Sequence, residues 1–210
     1  MPRPQPPTSS DTPLREDDAG TDPILLFRSW YDQAERAQLE MPNAMVLATA
    51  TPGGLPSARV VLLKEFDRDG FVFFTNYLSR KGDELSHNPN AALVIFWTPL
   101  ERQIRMEGLV EKISEEESER YFHSRPRASQ ISAAISEQSR EISSRQELEQ
   151  RAHTLEEQLA GATVPRPAYW GGYRLRPERV EFWQGRTGRL HDRLLYTLRK
   201  NTWSVVRLQP

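Results

Sequence analysis

The sequence predicts a mainly β protein with helices (α+β), a β-barrel with helices packed around it. Three observations carry this expectation. Short β-rich runs recur from Ala44 to Gly108 and again after Gly172, tight Gly-bearing turns join the early ones, and a charged helical stretch from Glu115 to Gly161 interrupts the series. At 210 residues the chain is long enough for one domain with a substantial core.

Residues 1–21 carry Pro2, Pro4, Pro6, Pro7 and Pro13 among polar residues, with little apolar surface to offset the entropy of ordering. They are expected to form a mobile tail before a single domain, 22–210. Asp22-Pro23 supplies an N-cap and a first-turn proline for a helix in which Ile24, Phe27, Trp30 or Tyr31 and Ala34 recur at helical spacing, ending before Pro42. Strands follow at Met45–Thr49, Ala58–Lys64 and Phe71–Thr75, separated by Pro52-Gly53-Gly54 and Asp67-Arg68-Asp69-Gly70, in the manner of an antiparallel meander. A short helix begins near Ser79. Ala91–Trp97 is apolar enough for a strand buried on both faces, and Arg102–Gly108 alternates beside it.

Glu115–His123 is a charged helix, and Ser144-x-x-Glu147 is a capping box opening another that runs to Gly161. The polar Arg127–Ser143 segment between them suits the lining of a site. The chain then returns to strands at Gly172–Leu175, Arg179–Gln184, Leu190–Leu195 and Trp203–Leu208.

Composition excludes several classes. Lys+Arg number 28 against 29 Asp+Glu, so any anion site is local and no global field draws nucleic acid or an anionic membrane. The chain has no cysteine, which removes disulfides, thiolate catalysis and Cys-ligated metals. There is no apolar run of the roughly 20 residues needed to span a bilayer, and no charged-then-apolar leader, so a cytoplasmic protein is expected. His87, His123, His153 and His191 lack metal-ligand spacing, and neither a GxGxxG nor a GxxxxGK[ST] loop occurs.

The chemistry concentrates in a few motifs. If Arg189-Leu190-His191-Asp192-Arg193 is a strand, its two-residue period aligns Arg189, His191 and Arg193 on one face, a site for an anionic planar ligand or else an exposed basic edge. Trp183, just upstream, would pack against a flat ring. Arg59 and Lys64, five apart, point to opposite faces unless a bulge intervenes, and so would serve different ligands. Thr75-Asn76-x-x-Ser79-Arg80-Lys81 feeds a strand end into a helix start, a phosphate cradle or an ordinary capped surface helix. Tyr121, Arg125 and Ser129 recur at four-residue spacing and would meet one phosphate if helical geometry persists past Pro126. Gln138-Ser139 lies in the polar segment, with a ligand contact or a loop hydrogen bond as its two readings. Two basic-hydroxyl clusters point to two phosphorylated ligands.

These residues resemble the FMN-dependent pyridoxine/pyridoxamine 5'-phosphate oxidases. The likeness runs from about Asp22 to Pro210 and rests first on Glu181-Phe182-Trp183-Gln184-x4-Arg189-Leu190-His191-Asp192-Arg193. Arg59–Lys64, Ser79-Arg80-Lys81, Leu100-Glu101-Arg102-Gln103, Tyr121–Arg127 and Gln138-Ser139 match in order and spacing. The resemblance implies a split β-barrel homodimer with FMN at the subunit interface, active in vitamin B6 metabolism. It implies FMN contacts from Arg59, Leu62, Lys64, Phe74, Thr75, Arg80, Lys81, Gln103, Gln138, Ser139, Trp183 and Arg193. It implies that Lys64, Tyr121, Arg125 and Ser129 hold the substrate phosphate, with Arg189 and His191 over the pyridine ring as the catalytic pair. Dioxygen would be the electron acceptor. Phe74 stands where members often carry Tyr, and no Arg-x-x-Tyr lid motif precedes Asp22.

Overall fold

The computed structural model describes residues 13–210. Among the described residues nine strands form one antiparallel sheet, and six helices surround it. In chain order these are α1 (Glu16–Ala19), α2 (Pro23–Arg36), β1 (Ala44–Ala50), β2 (Pro56–Leu62), β3 (Glu65–Asp67), β4 (Gly70–Asn76), α3 (Arg80–His87), β5 (Asn90–Trp97), β6 (Arg102–Lys112), α4 (Glu115–Ser124), α5 (Arg127–Ile135), α6 (Arg145–Leu159), β7 (Trp170–Gln184), β8 (Asp192–Arg199) and β9 (Thr202–Arg207). The sheet runs β2-β1-β5-β6-β7-β4-β3, with β8 and β9 added beside β7. The expected meander holds only for hairpins and for β7-β8-β9, since β1 pairs with the distant β5.

The split in the barrel originates in β7, a single 15-residue strand where the sequence reads as two. Its first half pairs with β4 and its second half with β8, while β6 follows it along the other side. Pro177, which has no N–H to give a ladder, lies at the changeover, and the β6 register shifts between Glu107 and Gly108 directly opposite. A Cβ on Gly108 would lie 2.0 Å from the Arg176 carbonyl oxygen, so only glycine permits this approach.

The inner face carries the core. Cross-strand partners form a row from Arg59 at the β2 edge through Leu47, Leu93, Met106 and Val180 to Tyr196. All but Arg59 are buried. Helix α2 closes this side. Asp22 caps it by accepting from the Ile24 N–H at 2.8 Å, Phe27 packs edge-on against Phe71, and Trp30 edge-on against Phe182. A smaller cluster of Phe122, Ile131, Val164 and Trp170 sits under α4 and α5.

Several expectations change. The mobile tail falls partly on residues 1–12, outside the described residues; residues 13–21 are mostly exposed but touch the sheet and helices at a few points. Leu14 and Ala19 are buried, the Tyr196 hydroxyl donates to the Ala19 and Gly20 carbonyls, and Arg207 bridges Glu16, Asp192 and the Leu14 carbonyl. β5 is buried on one face only, with Phe96 55% exposed on the other. Part of the polar 127–143 segment is helix α5, whose Ile131 and Ala133 are buried in the cluster with Phe122 and Trp170. The capping box at Ser144 is half made. Ser144 accepts from the Glu147 N–H, while the Glu147 carboxylate turns to Ser143 and Arg151.

Candidate active site

The phosphate-cradle reading of residues 75–81 begins from a helix start. Ser79 caps α3 by accepting from the Gly82 N–H, and its hydroxyl donates to the Asn76 carbonyl. This leaves Lys81 turned inward, where its Nζ donates to Thr75 Oγ1 at 3.1 Å, Ser79 Oγ at 3.2 Å and Gln138 Oε1 at 2.6 Å. Burial first, then the nearby Arg59 charge, lowers the Lys81 pKa to about 8. Arg59 reaches the same corner from β2, donating to Thr49 Oγ1, Ser57 Oγ and, at 3.4 Å, Glu84 Oε2. Glu84 is 3% exposed and also takes the Arg80 Nε–H at 2.9 Å. Burial opposes its ionisation, but hydrogen bonds from Ser57, Thr49 and Arg80 outweigh that and hold its pKa at about 2.

The opposite wall is aromatic and basic. Phe74 stacks on Tyr121 with centroids 3.8 Å apart, and the Arg125 guanidinium lies 4.5 Å over the Trp170 ring. Lys64 sits 5.8 Å from the Tyr121 ring centre. Arg125 Nη1 is buried and, among the described residues, without a hydrogen-bond partner, and burial pushes this guanidinium's pKa down. An orphaned buried donor is costly, about 1–3 kcal/mol, unless a ligand completes it.

Both walls face one cavity of about 530 Å³, lined by Arg59, Leu62, Lys64, Phe74, Thr75, Lys81, Tyr121, Arg125, Ser129 and Gln138 among others. Two expectations are corrected here. Arg59 and Lys64 share this cavity because β2 stops at Leu62, which frees Lys64 from strand alternation. Helical geometry does not persist past Pro126. Arg125 is extended at ψ 151°, α5 starts afresh at Arg127, and the corner between the two helices brings Tyr121, Arg125 and Ser129 to the cavity anyway.

Arg80 and Ser139 line an adjoining cavity of about 770 Å³, which shares Gln138 with the first. The Arg80 backbone N–H donates to Ser139 Oγ at 3.2 Å.

The remaining expected residues lie elsewhere. Phe96, Gln103, Trp183 and Arg193 are cross-strand partners in one row on the outer face, opposite to the face that carries Arg59. Glu181 orients Arg193 at 2.8 Å and Arg105 at 3.4 Å. Arg189, His191 and Arg193 are not alternate residues of one strand. Thr187–Arg189 is a 3₁₀ turn with Gly188 and Arg189 at φ 68° and 63°, and β8 starts only at Asp192. His191 instead packs on Trp183 at 4.7 Å and accepts the Arg186 N–H through Nδ1. None of Gln103, Trp183, Arg189, His191 and Arg193 lines the 530 Å³ cavity of its own chain. Sequence reasoning missed Glu84, Thr49 and Ser57. The i,i+4 spacing of Arg80 and Glu84 was the one available signal; Thr49 opposite Ser57 needs the strand register.

Among the described residues no group of His, Asp or Glu is arranged to hold a metal, and no helix is long and apolar enough to cross a membrane.

Fold and cavity together define an antiparallel split-barrel protein with a basic, aromatic-walled pocket beside its sheet. A family model described as pyridoxamine 5'-phosphate oxidase matches residues 31–159, and one described as the pyridoxine 5'-phosphate oxidase C-terminal dimerisation region matches 170–210. A pyridoxine/pyridoxamine 5'-phosphate oxidase of Rubrobacter xylanophilus is 58% identical over 94% of this chain and 91% of its own. The crystal structure of PhzG from Burkholderia lata, in complex with tetrahydrophenazine-1-carboxylic acid, superposes with a TM-score of 0.91 at 35% identity, covering 96% of this chain and all of the other. A pyridoxamine 5'-phosphate oxidase-related, FMN binding protein from Nostoc punctiforme shares the fold, with a TM-score of 0.70 at 18% identity over 88% of this chain and 96% of that one. The chain belongs to the pyridoxamine 5'-phosphate oxidase family.

Proposed function

We propose that the protein is an FMN-dependent oxidase that converts pyridoxamine 5'-phosphate and pyridoxine 5'-phosphate to pyridoxal 5'-phosphate, acting as a homodimer. The observation that carries this reading is a single cavity that gathers Lys64, Tyr121, Arg125 and Ser129 on one side and a second cation set, Arg59 and Lys81, on the other. Two phosphate-sized anions balance such a pocket, where one would leave buried charge uncompensated. The donor set also suits FMN, because Lys81, Thr75 and Gln138 offer hydrogen bonds at the α3 start and Leu62 and Phe74 offer apolar contact.

In this reading Arg59, Thr75, Arg80, Lys81 and Ser139 hold the FMN phosphate and ribityl chain, with Gln138 beside them. Lys64, Tyr121, Arg125 and Ser129 hold the substrate phosphate. Each copy lends Gln103, Trp183 and Arg193 to surround the rest of the flavin in the other copy's cavity, and Arg189 and His191 to cover the substrate ring. The match of 170–210 to a dimerisation region supports this exchange, as do the exposed Val46, Val60 and Phe96 on the outer face. Bound FMN would supply a hydride acceptor for the substrate C4' carbon, the electron pair passing with two protons to dioxygen as hydrogen peroxide; the alcohol substrate would give the aldehyde directly, and the imine formed from the amine substrate would hydrolyse to the aldehyde and ammonia. The protein's own contribution is to orient that carbon, exclude water and stabilise charge at the ring through Arg189 and His191.

The test is anaerobic mixing of the FMN-loaded protein with pyridoxamine 5'-phosphate. Bleaching of the flavin band, followed by recovery and peroxide release on admitting oxygen, is the expected result. A loaded flavin that stays oxidised would overturn it. The TM-score of 0.91 to PhzG favours one second reading, an oxidase of a phenazine-type aromatic substrate. A substrate without phosphate would leave the Lys64 and Arg125 charges at this cavity without a counter-anion, which argues against it. Peroxide release likewise separates an oxidase from a non-catalytic flavin or pyridoxal phosphate carrier.

A further inference from the structure

An acid in a phosphate cradle is unexpected, because a carboxylate repels the anion the cradle serves. Glu84 is nevertheless buried beside Arg59, Arg80 and Lys81, and every strong donor around it belongs to the cradle or to its immediate support. Its Oε2 accepts from Thr49 and Ser57 at 2.5 Å each and from Arg59 at 3.4 Å; its Oε1 accepts from Arg80 at 2.9 Å. Thr49 and Ser57 also take the two Arg59 Nη groups, so the carboxylate, two hydroxyls and the guanidinium form one closed set.

The elements joined matter as much as the bonds. Arg59, Thr49 and Ser57 lie on the β1-β2 hairpin, whereas Arg80, Lys81 and Glu84 lie on α3. Three cations brought together in the cradle repel one another and would splay the helix from the hairpin. We propose that Glu84 is a positioning residue that ties Arg59 of the hairpin to Arg80 of α3 around one carboxylate, and so preorganises the cradle for a phosphate dianion. This rests on the reading that the cradle takes the phosphate of FMN. The charges are consistent with it, since three cations and one carboxylate leave a net charge that a phosphate of about −2 neutralises.

The proposal and simple Coulomb attraction predict opposite signs for Glu84→Gln. Removing the negative charge makes the cradle more positive, which by itself tightens an anion. Losing the tie frees both guanidiniums, which weakens it. Apoprotein is titrated with FMN and with riboflavin, which lacks the phosphate, following quenching of flavin fluorescence. Glu84→Gln should raise the FMN dissociation constant about tenfold or more, in line with losing charge-assisted hydrogen bonds, and leave riboflavin unchanged. The ratio of the two constants is the decisive quantity, because a general loss of structure moves both. FMN binding as tight as wild type or tighter, in a folded variant, would reduce Glu84 to a counter-charge and overturn the proposal. Should Glu84→Gln fail to fold, Thr49→Val loosens the same set while keeping the charge. It should weaken FMN several-fold without affecting riboflavin, and an unchanged ratio there also overturns the inference. Wild-type protein that binds neither flavin would instead defeat the FMN reading itself.

Discussion

The Lys81 ammonium makes flavin loading sensitive to pH in a predictable direction. In the free protein its pKa is lowered to about 8, by burial and then by Arg59. A bound phosphate dianion favours the charged form and returns the pKa toward its ordinary value. Between these two values the complex holds a proton that the free protein has lost, so binding takes one up and affinity falls as pH rises. With a free-state pKa of about 8, about one cradle in eleven carries the ammonium at pH 9 and nearly all do at pH 7. The FMN dissociation constant should therefore rise about tenfold across those two units, close to 1.4 kcal/mol. The assay is flavin fluorescence titration of apoprotein at both pH values, with Lys81→Met as control. The variant should bind more weakly at pH 7 and lose the pH slope. A wild-type affinity that is flat from pH 7 to pH 9, or a slope that survives in Lys81→Met, would refute the reasoning. A companion effect runs the other way. Because the folded pKa lies below the ordinary lysine value of 10.5, the unfolded chain binds more protons between about 8 and 10.5, and this group makes apoprotein stability rise over that window.

Three more expectations concern separate parts of the molecule. Arg189→Leu should keep the yellow FMN complex and cut turnover by roughly one to three powers of ten, as a charge-assisted contact and its orientation are lost; release of FMN with turnover per bound flavin unchanged would count against the assignment. Arg125→Met removes a buried donor that has no partner, so the apoprotein melting temperature should hold or rise while KM for the phosphorylated substrate increases at least tenfold; a falling melting temperature with unchanged KM would place Arg125 in the scaffold instead. The Arg207 hydrogen bond lowers the Glu16 pKa to about 2, so the clasp on residues 13–20 is fully present above the ordinary value of 4.5 and is lost as pH falls toward about 2. Glu16→Gln should reproduce that release at neutral pH, seen as faster amide exchange at Leu14, whose N–H donates to Asp192 at 3.1 Å; unchanged exchange would show the clasp to be idle.

What the sequence determined by itself was local. Asp22-Pro23 starts α2 and Ser79 caps α3, because a cap needs only its own first turn. Alternation and tight turns located most strands to within a few residues, and the motifs around Arg59, Thr75 and Tyr121 named residues that line the cavity. Tertiary structure decided what depends on partners far away in the chain. The two strands read at Gly172 and Arg179 are one, because β6 pairs along the whole length and bulges opposite Pro177. Residues 13–20 pack because Arg207, 191 positions after Glu16, reaches back to hold them. Glu84 became part of the cradle only when the β1-β2 register set Thr49 beside Ser57 and α3 docked against that hairpin. The sheet also divided the predicted residues between its faces. Arg59 shares the inner face with the core row, whereas Gln103, Trp183 and Arg193 share the outer one, because directly opposed residues of an antiparallel ladder project to the same side. A pattern along one strand carries no information about which side of a nine-stranded sheet another strand's residues will reach.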